Sequence, residues 1–142
     1  MDDLELVELN PEALFDGNPG FEPGWWQPIH LVSKTTRFEV RSDGLEVARV
    51  ELDESFDVSH YEGAPDLRKA GLAIVFIEVA ATRRSRGIGR RLVVILAGRY
   101  PDRRLFALSE EADGFWSGLG WDRFEHPEGV AHWRPLYVQP SR

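Results

Sequence analysis

The apolar positions of this chain change their period several times, and each change marks an element. Residues 4–9 alternate apolar and acidic side chains, the period of a strand with one face in water. Residues 10–28 are broken by Pro11, Gly17, Pro19, Gly20, Pro23, Gly24 and Pro28, which excludes a long helix. One turn at 11–15 and a short helix at 28–34 fit there. Residues 36–41 and 45–52 alternate again around Ser42-Asp43-Gly44, and Asp-Gly between two such runs predicts a tight hairpin. Residues 53–69 are polar, contain Gly63 and Pro65, and read as a loop.

Residues 71–81 are almost continuously apolar, which predicts a central strand buried on both faces. Ile88, Leu92, Ile95 and Leu96 then form one stripe of a helix that ends near Gly98, with Pro101 as a stop. Residues 104–108 predict a short strand. Ser109 stands where an N-cap would, with Glu110 and Glu111 in the first turn of a helix reaching Leu119 or Gly120. Residues 121–124 and 130–138 flank His126-Pro127-Glu128-Gly129 and predict a closing hairpin, with Pro135 at an edge or bulge. The strand–helix–strand step from Ile74 to Leu108 requires a parallel pair, and the hairpins require antiparallel ones. The expected fold is α+β: a mixed, mostly antiparallel twisted sheet of about six to seven strands with helices packed on it.

Composition narrows the class. A length of 142 residues suits one domain over the whole chain, and 42% hydrophobic with 29% charged residues is globular rather than disordered. The absence of cysteine excludes disulfides, a thiol nucleophile and Cys-based zinc sites. The start Met1-Asp2-Asp3 is unlike a secretory leader, and no apolar run approaches a membrane span. A cytoplasmic protein is expected.

Charge changes the picture more. The net charge is −7, yet the segment 83–104 holds eight arginines and a single acid, so it carries +7 and the remainder −14. A nucleic-acid binder would spread its positive charge along a face, so none is expected as a partner. One concentrated basic element suits a small polyanion. Residues 83–92 pack five arginines and two glycines without an acid, between the apolar run and the helix. Amides at a helix start and the positive end of its dipole hold phosphate. A Walker loop is absent, and Leu92 stands where a dinucleotide fingerprint needs its third glycine. What remains is Arg84-x-x-Gly87-x-Gly89 at a strand–helix junction.

In Arg84-Ser85-Arg86-Gly87-Ile88-Gly89 the chain resembles the GNAT superfamily of acyl-CoA-dependent N-acyltransferases, whose pyrophosphate loop reads Arg/Gln-x-x-Gly-x-Gly/Ala. A second motif of that family, Asn-x-x-Ala-x-x-Phe-Tyr-x-x-Leu-Gly-Phe, is matched in spacing by Ser109-Glu-Glu-Ala112-Asp-Gly-Phe115-Trp116-Ser-Gly-Leu119-Gly120-Trp121. The likeness covers residues 72–124. It implies acetyl-CoA as co-substrate, with the pyrophosphate on the amides of residues 86–90 and further phosphate charge met by Arg84, Arg86 or Arg90. It also implies that the pantetheine arm lies along Val79, Ala80 and Ala81. Ser85, Ile88, Ser109 and Trp116 complete the expected coenzyme site.

The implied chemistry is attack of an amine on an acyl thioester. Glu78 is the sole carboxylate of the central run and the expected base, since a partly desolvated carboxylate accepts protons more readily. The family often uses a tyrosine where this chain has Trp116, and an indole N–H is not transferable at neutral pH. Either the thiolate leaves unassisted or through water, or Tyr137, Tyr61 or Ser109 stands in as acid, with Tyr137 the first choice, or the protein binds acyl-CoA without efficient catalysis. Trp25-Trp26 falls in the substrate-side region, and His60-Tyr61 in the polar loop before the central strand. His30, His126 and His132 form no metal motif, so no metal is expected. The acidic remainder favours a cationic amine acceptor, a small molecule or a peptide, over aminoacyl-tRNA. A monomer or homodimer without membrane attachment is expected.

Overall fold

The computed structural model describes residues 3–10, 15, 18–22, 35–55, 58–67, 70–110, 112–129 and 133–140. The turn expected at 11–15 (Phe15 apart), the helix expected at 28–34, Trp25-Trp26, His30 and His132 lie outside the described residues.

Among these residues the strands are β1 (Glu5–Glu8), β2 (Thr35–Ser42), β3 (Leu45–Asp53), β4 (Gly71–Val79), β5 (Arg104–Leu108), β6 (Asp122–Phe124) and β7 (Leu136–Val138), with helices α1 (Ile88–Arg99) and α2 (Asp113–Gly118). They form one sheet in the order β1-β2-β3-β4-β5-β7-β6. Every pairing is antiparallel except β4 with β5, where Gly71, Leu72 and Ala73 face Arg104, Leu105 and Phe106. The expected crossover is therefore present. The β2–β3 turn has positive φ at both Asp43 (53°) and Gly44 (79°), the two-residue geometry that matches strand twist.

The main core lies between the sheet and the helices. Leu92, Val93 and Leu96 of α1 pack on Val50, Leu72, Ile74 and Leu105, joined by Trp116 and Trp121. Val93, not Ile95, completes the buried stripe of α1. On the opposite face, Val58, Tyr61 and Leu67 from the β3–β4 connection cover Ala73, Phe106, Leu136 and Val138. A smaller cluster of Phe21 and Ala80, with Phe15 and Phe76 against it, covers the far end of β4 on that face.

Four expectations are corrected. The central strand stops at Val79, and Ala81–Arg83 form a single 3-10 turn, which redirects the chain before α1. The strand is not closed on both sides: Val75, Phe76 and Ile77 are only half-buried. Its pairing with β5 ends at Ala73, whereas its pairing with β3 continues to Val79. The register shift opposite Glu51 and Leu52 gives β4 one extra residue, Val75, and such a bulge bends its strand. The bend begins where β5 lets go, so the two parallel strands splay apart. Ser109 is not the N-cap of α2. That place is held by Ala112, and the helix is a turn shorter than expected. The Ser109 hydroxyl instead accepts the Ala112 N–H (3.2 Å) and donates to Asp113 (2.6 Å). In the closing hairpin, where a strand over 130–138 was expected, β7 covers Leu136–Val138 among the described residues and pairs with β6 there.

Candidate active site: a groove through the splayed sheet

The splay opens a groove with two chambers. The inner one, about 170 Å³, lies between β4 and β5 and is lined by Ile74 to Ile77, Val79, Leu108, Glu110, Ala112, Phe115, Trp116 and Gly89. The outer one, about 370 Å³, is lined by Arg83, Arg84, Ser85, Gly87, Ile88, Gly89, Arg90, Gly114, Phe115 and others. Val79, Gly89 and Phe115 border both, so the chambers adjoin there.

The outer chamber is built by the loop 84–89. Gly87 is the N-cap of α1 at φ 76°, a left-handed conformation that costs an L side chain roughly 1–2 kcal/mol. Ser85 is left-handed too (φ 64°). The first turn of α1 contains no acid and no side-chain cap, so its end stays electropositive. Gly89 borders both chambers and also serves packing. A Cβ there would stand 3.1 Å from the Phe115 ring, so glycine lets α2 pack against the start of α1. Among the described residues no acid pairs with Arg83 or Arg86. Arg90 reaches only the Gly118 carbonyl at 3.4 Å. Arg84 folds back: its Nε donates to the Val79 carbonyl (3.1 Å) and its guanidinium stands 3.5 Å from Glu78, while its side chain remains 58% exposed.

Glu78 is buried on the face away from α1. Its two oxygens accept the Glu22 N–H at 3.2 and 3.1 Å, which ties the 18–22 segment to β4. It does not line either chamber; its neighbours Ile77 and Val79 do. The amides of Ala80 and Ala81 are already used, donating to Val47 (2.8 Å) and Gly20 (3.0 Å). The strand edge open towards β5 therefore lies at Val79 and upstream of it. Trp116 is 3% exposed, meets Phe115 edge to face at 4.9 Å and Trp121 at 4.9 Å, and forms a wall of the inner chamber.

Tyr137 is buried, and its hydroxyl accepts from Arg123 at 3.2 Å, away from both chambers. The same guanidinium meets Asp113 (3.2 Å) and Glu125 (3.1 Å), and the hydrogen bond with Tyr137 raises its pKa further above the ordinary arginine value. The chain Ser109–Asp113–Arg123–Tyr137 thus fixes the start of α2 on the sheet. Tyr61 donates its hydroxyl to the Arg134 carbonyl (2.7 Å), and burial pushes its pKa upward. Its ring stands 5.4 Å from that of His126, which stacks on Trp133 at 4.1 Å. Sequence reasoning missed Glu110 and Arg134: the first was read only as a helix-start acid, yet it lines the inner chamber and pairs with Arg134 at 3.1 Å.

An acetyltransferase from Thermus thermophilus superposes with a TM-score of 0.68 over 97% of each chain at 14% identity. The N-acetyltransferase YlbP of Bacillus subtilis, solved with coenzyme A, gives 0.57 at 20% identity over 73% of this chain and 67% of its own. AtaTR bound with AcCoA gives 0.61 at 13% identity over 95% and 92%. The chain has the GNAT fold. No family model and no curated protein matches the sequence. In terms of the GNAT fold, the groove is the gap between the fourth and fifth strands, and the loop 84–89 joins the fourth strand to the helix that follows it. Among the described residues, no three His, Asp or Glu side chains are grouped to hold a metal, and no helix is long and apolar enough to cross a membrane.

Proposed function

We propose that this protein is an N-acyltransferase that moves an acetyl group from acetyl-CoA to a primary amine. The observation that carries the reading is the electropositive outer chamber, without an acid among its described lining residues, adjoining a largely apolar inner one. A polyanion with a thin, partly apolar arm fits that sequence of environments. The left-handed Gly87 and the uncapped amides of α1 suit a pyrophosphate, and Arg83 and Arg86 have charge to offer it. The pantetheine arm is assigned to Val79 and the open edge upstream, since the amides of Ala80 and Ala81 are taken. Solved structures of this fold that hold coenzyme A or AcCoA support coenzyme A as the ligand.

Acetyl-CoA supplies an activated thioester, and the chain must place an amine against it and take a proton away. An amine with a pKa of about 10 is mostly charged at neutral pH. Glu78 is assigned as proton acceptor through a water, because its own carboxylate stands beside the inner chamber and not in it. Trp116 excludes water from the reacting end. Tyr137 is held by Arg123, so an acid role for it requires that hydrogen bond to open. The test is calorimetric titration with acetyl-CoA, coenzyme A and dephospho-coenzyme A, repeated on Arg84→Ala. Micromolar binding that weakens in the variant is expected, and no binding of any of the three overturns the reading.

Trp116 favours a second reading, an acyl-CoA-binding module without turnover, because the indole cannot protonate a leaving thiolate. Trp116→Tyr separates the two: a faster acyl transfer at unchanged coenzyme affinity supports the enzyme, and no turnover with either residue supports the module.

A further inference from the structure

Resting on that acyl-transfer reading, we infer that Glu110 is the acceptor-recognition residue: it binds a second cationic group of a diamine-like acceptor, and Arg134 holds its place when no acceptor is bound. Among the described residues, Glu110 is the only charged side chain lining the inner chamber. It stands two residues beyond the end of β5, on the side of the groove across from β4. The other end of the groove carries the arginine loop, so the groove is bipolar: positive where phosphates enter, negative on the β5 side. A molecule with an ammonium group at each end would place one against Glu110 and leave the other free to react.

The pair Glu110–Arg134 (3.1 Å) has the properties of a placeholder. Its side chains are 42% and 57% exposed, and an exposed ion pair contributes little to stability, so a competing cation displaces it easily. The Arg134 backbone is nevertheless held, because its carbonyl accepts the Tyr61 hydroxyl at 2.7 Å and the next carbonyl, of Pro135, accepts the Ser109 N–H at 2.9 Å. Only the guanidinium needs to swing aside. The carboxylate then meets an ammonium at the mouth of a chamber otherwise lined by apolar side chains and Gly89, where water competes less than on an open surface.

The test uses the full chain saturated with coenzyme A, so that nothing reacts, and titrates 1,5-diaminopentane against 1-aminopentane by calorimetry. The diamine should bind about ten-fold more tightly, the size of one charge-assisted contact. Glu110→Gln should remove that preference, and Arg134→Gln should increase it by about three-fold. Glu54→Gln, an exposed acid paired with Arg103 away from the groove, should leave the preference unchanged and so excludes a general pull of the net negative charge. Equal affinity for the two amines, no binding of either, or a preference that survives Glu110→Gln overturns the assignment of Glu110 alone. Failure to bind coenzyme A overturns the acyl-transfer reading beneath it.

Discussion

The two ends of the groove are built in opposite ways. The polar parts of the proposed phosphate end come from one stretch, residues 83–90, and are local: a left-handed glycine, an uncapped helix start and closely spaced arginines. The acceptor end draws Glu110 from the end of β5, Arg134 from the approach to β7 and Tyr61 from the β3–β4 connection, the last two 73 residues apart. A local device works wherever its backbone folds. A device assembled from distant segments works only if the whole sheet has formed. The first should fail through single residues, the second through loss of register or support.

The largest effect is expected in the wall of the inner chamber. Trp116→Ala removes a buried side chain that lines the inner chamber and packs on Phe115 and Trp121, and should cost about 3–5 kcal/mol in denaturant unfolding. A loss under about 1 kcal/mol would mean that the site does not depend on this wall. Gly87→Val should act on one end only. It forces a β-branched residue to φ 76°, costing roughly 2 kcal/mol, and should weaken coenzyme A binding at least about ten-fold while leaving the diamine preference of loaded protein intact. Unchanged coenzyme affinity would remove the loop from the binding site.

Tyr61→Phe is the matching probe of the other end. Losing the bond to the Arg134 carbonyl should cost about 1 kcal/mol and blur the diamine preference, with coenzyme affinity untouched. An equal drop in coenzyme affinity would contradict the separation of the two ends. The smallest effect concerns pH. Burial raises the Tyr61 pKa above its ordinary value of 10.0. Below that value both the folded and the unfolded chain keep the proton. Above it the unfolded chain loses the proton first, so stability should fall as pH rises from the ordinary value to the raised one. Tyr61→Phe should lack this alkaline component; an identical alkaline slope in wild type and variant would rule it out.

Much of this could be read in advance, for reasons that differ by element. The Asp43-Gly44 hairpin, the α1 stripe and the Gly87 loop were legible because each rests on a conformational preference of a few neighbouring residues. The β4–β5 crossover was legible because handed connectivity leaves few alternatives. Ser109 was misplaced as the cap because α2 begins only at Asp113, so its hydroxyl meets the Ala112 amide and the Asp113 side chain from one turn upstream. Glu78 read as a partly desolvated base, and nothing in the sequence signals that the Glu22 amide, 56 residues away, donates to it.

The sequence by itself determined the order of strands and helices, the left-handed turn of the arginine loop and the positive charge at the head of α1. Those depend on backbone propensity, period and local charge, which act over a turn or two. The tertiary structure alone decided where β4 parts from β5, because one residue of bulge at Val75 counts only against the partner strand. It also decided that Glu110, and not Glu78, is the carboxylate facing the chamber, since the direction of a side chain at a splayed strand end follows from how far its neighbours have separated.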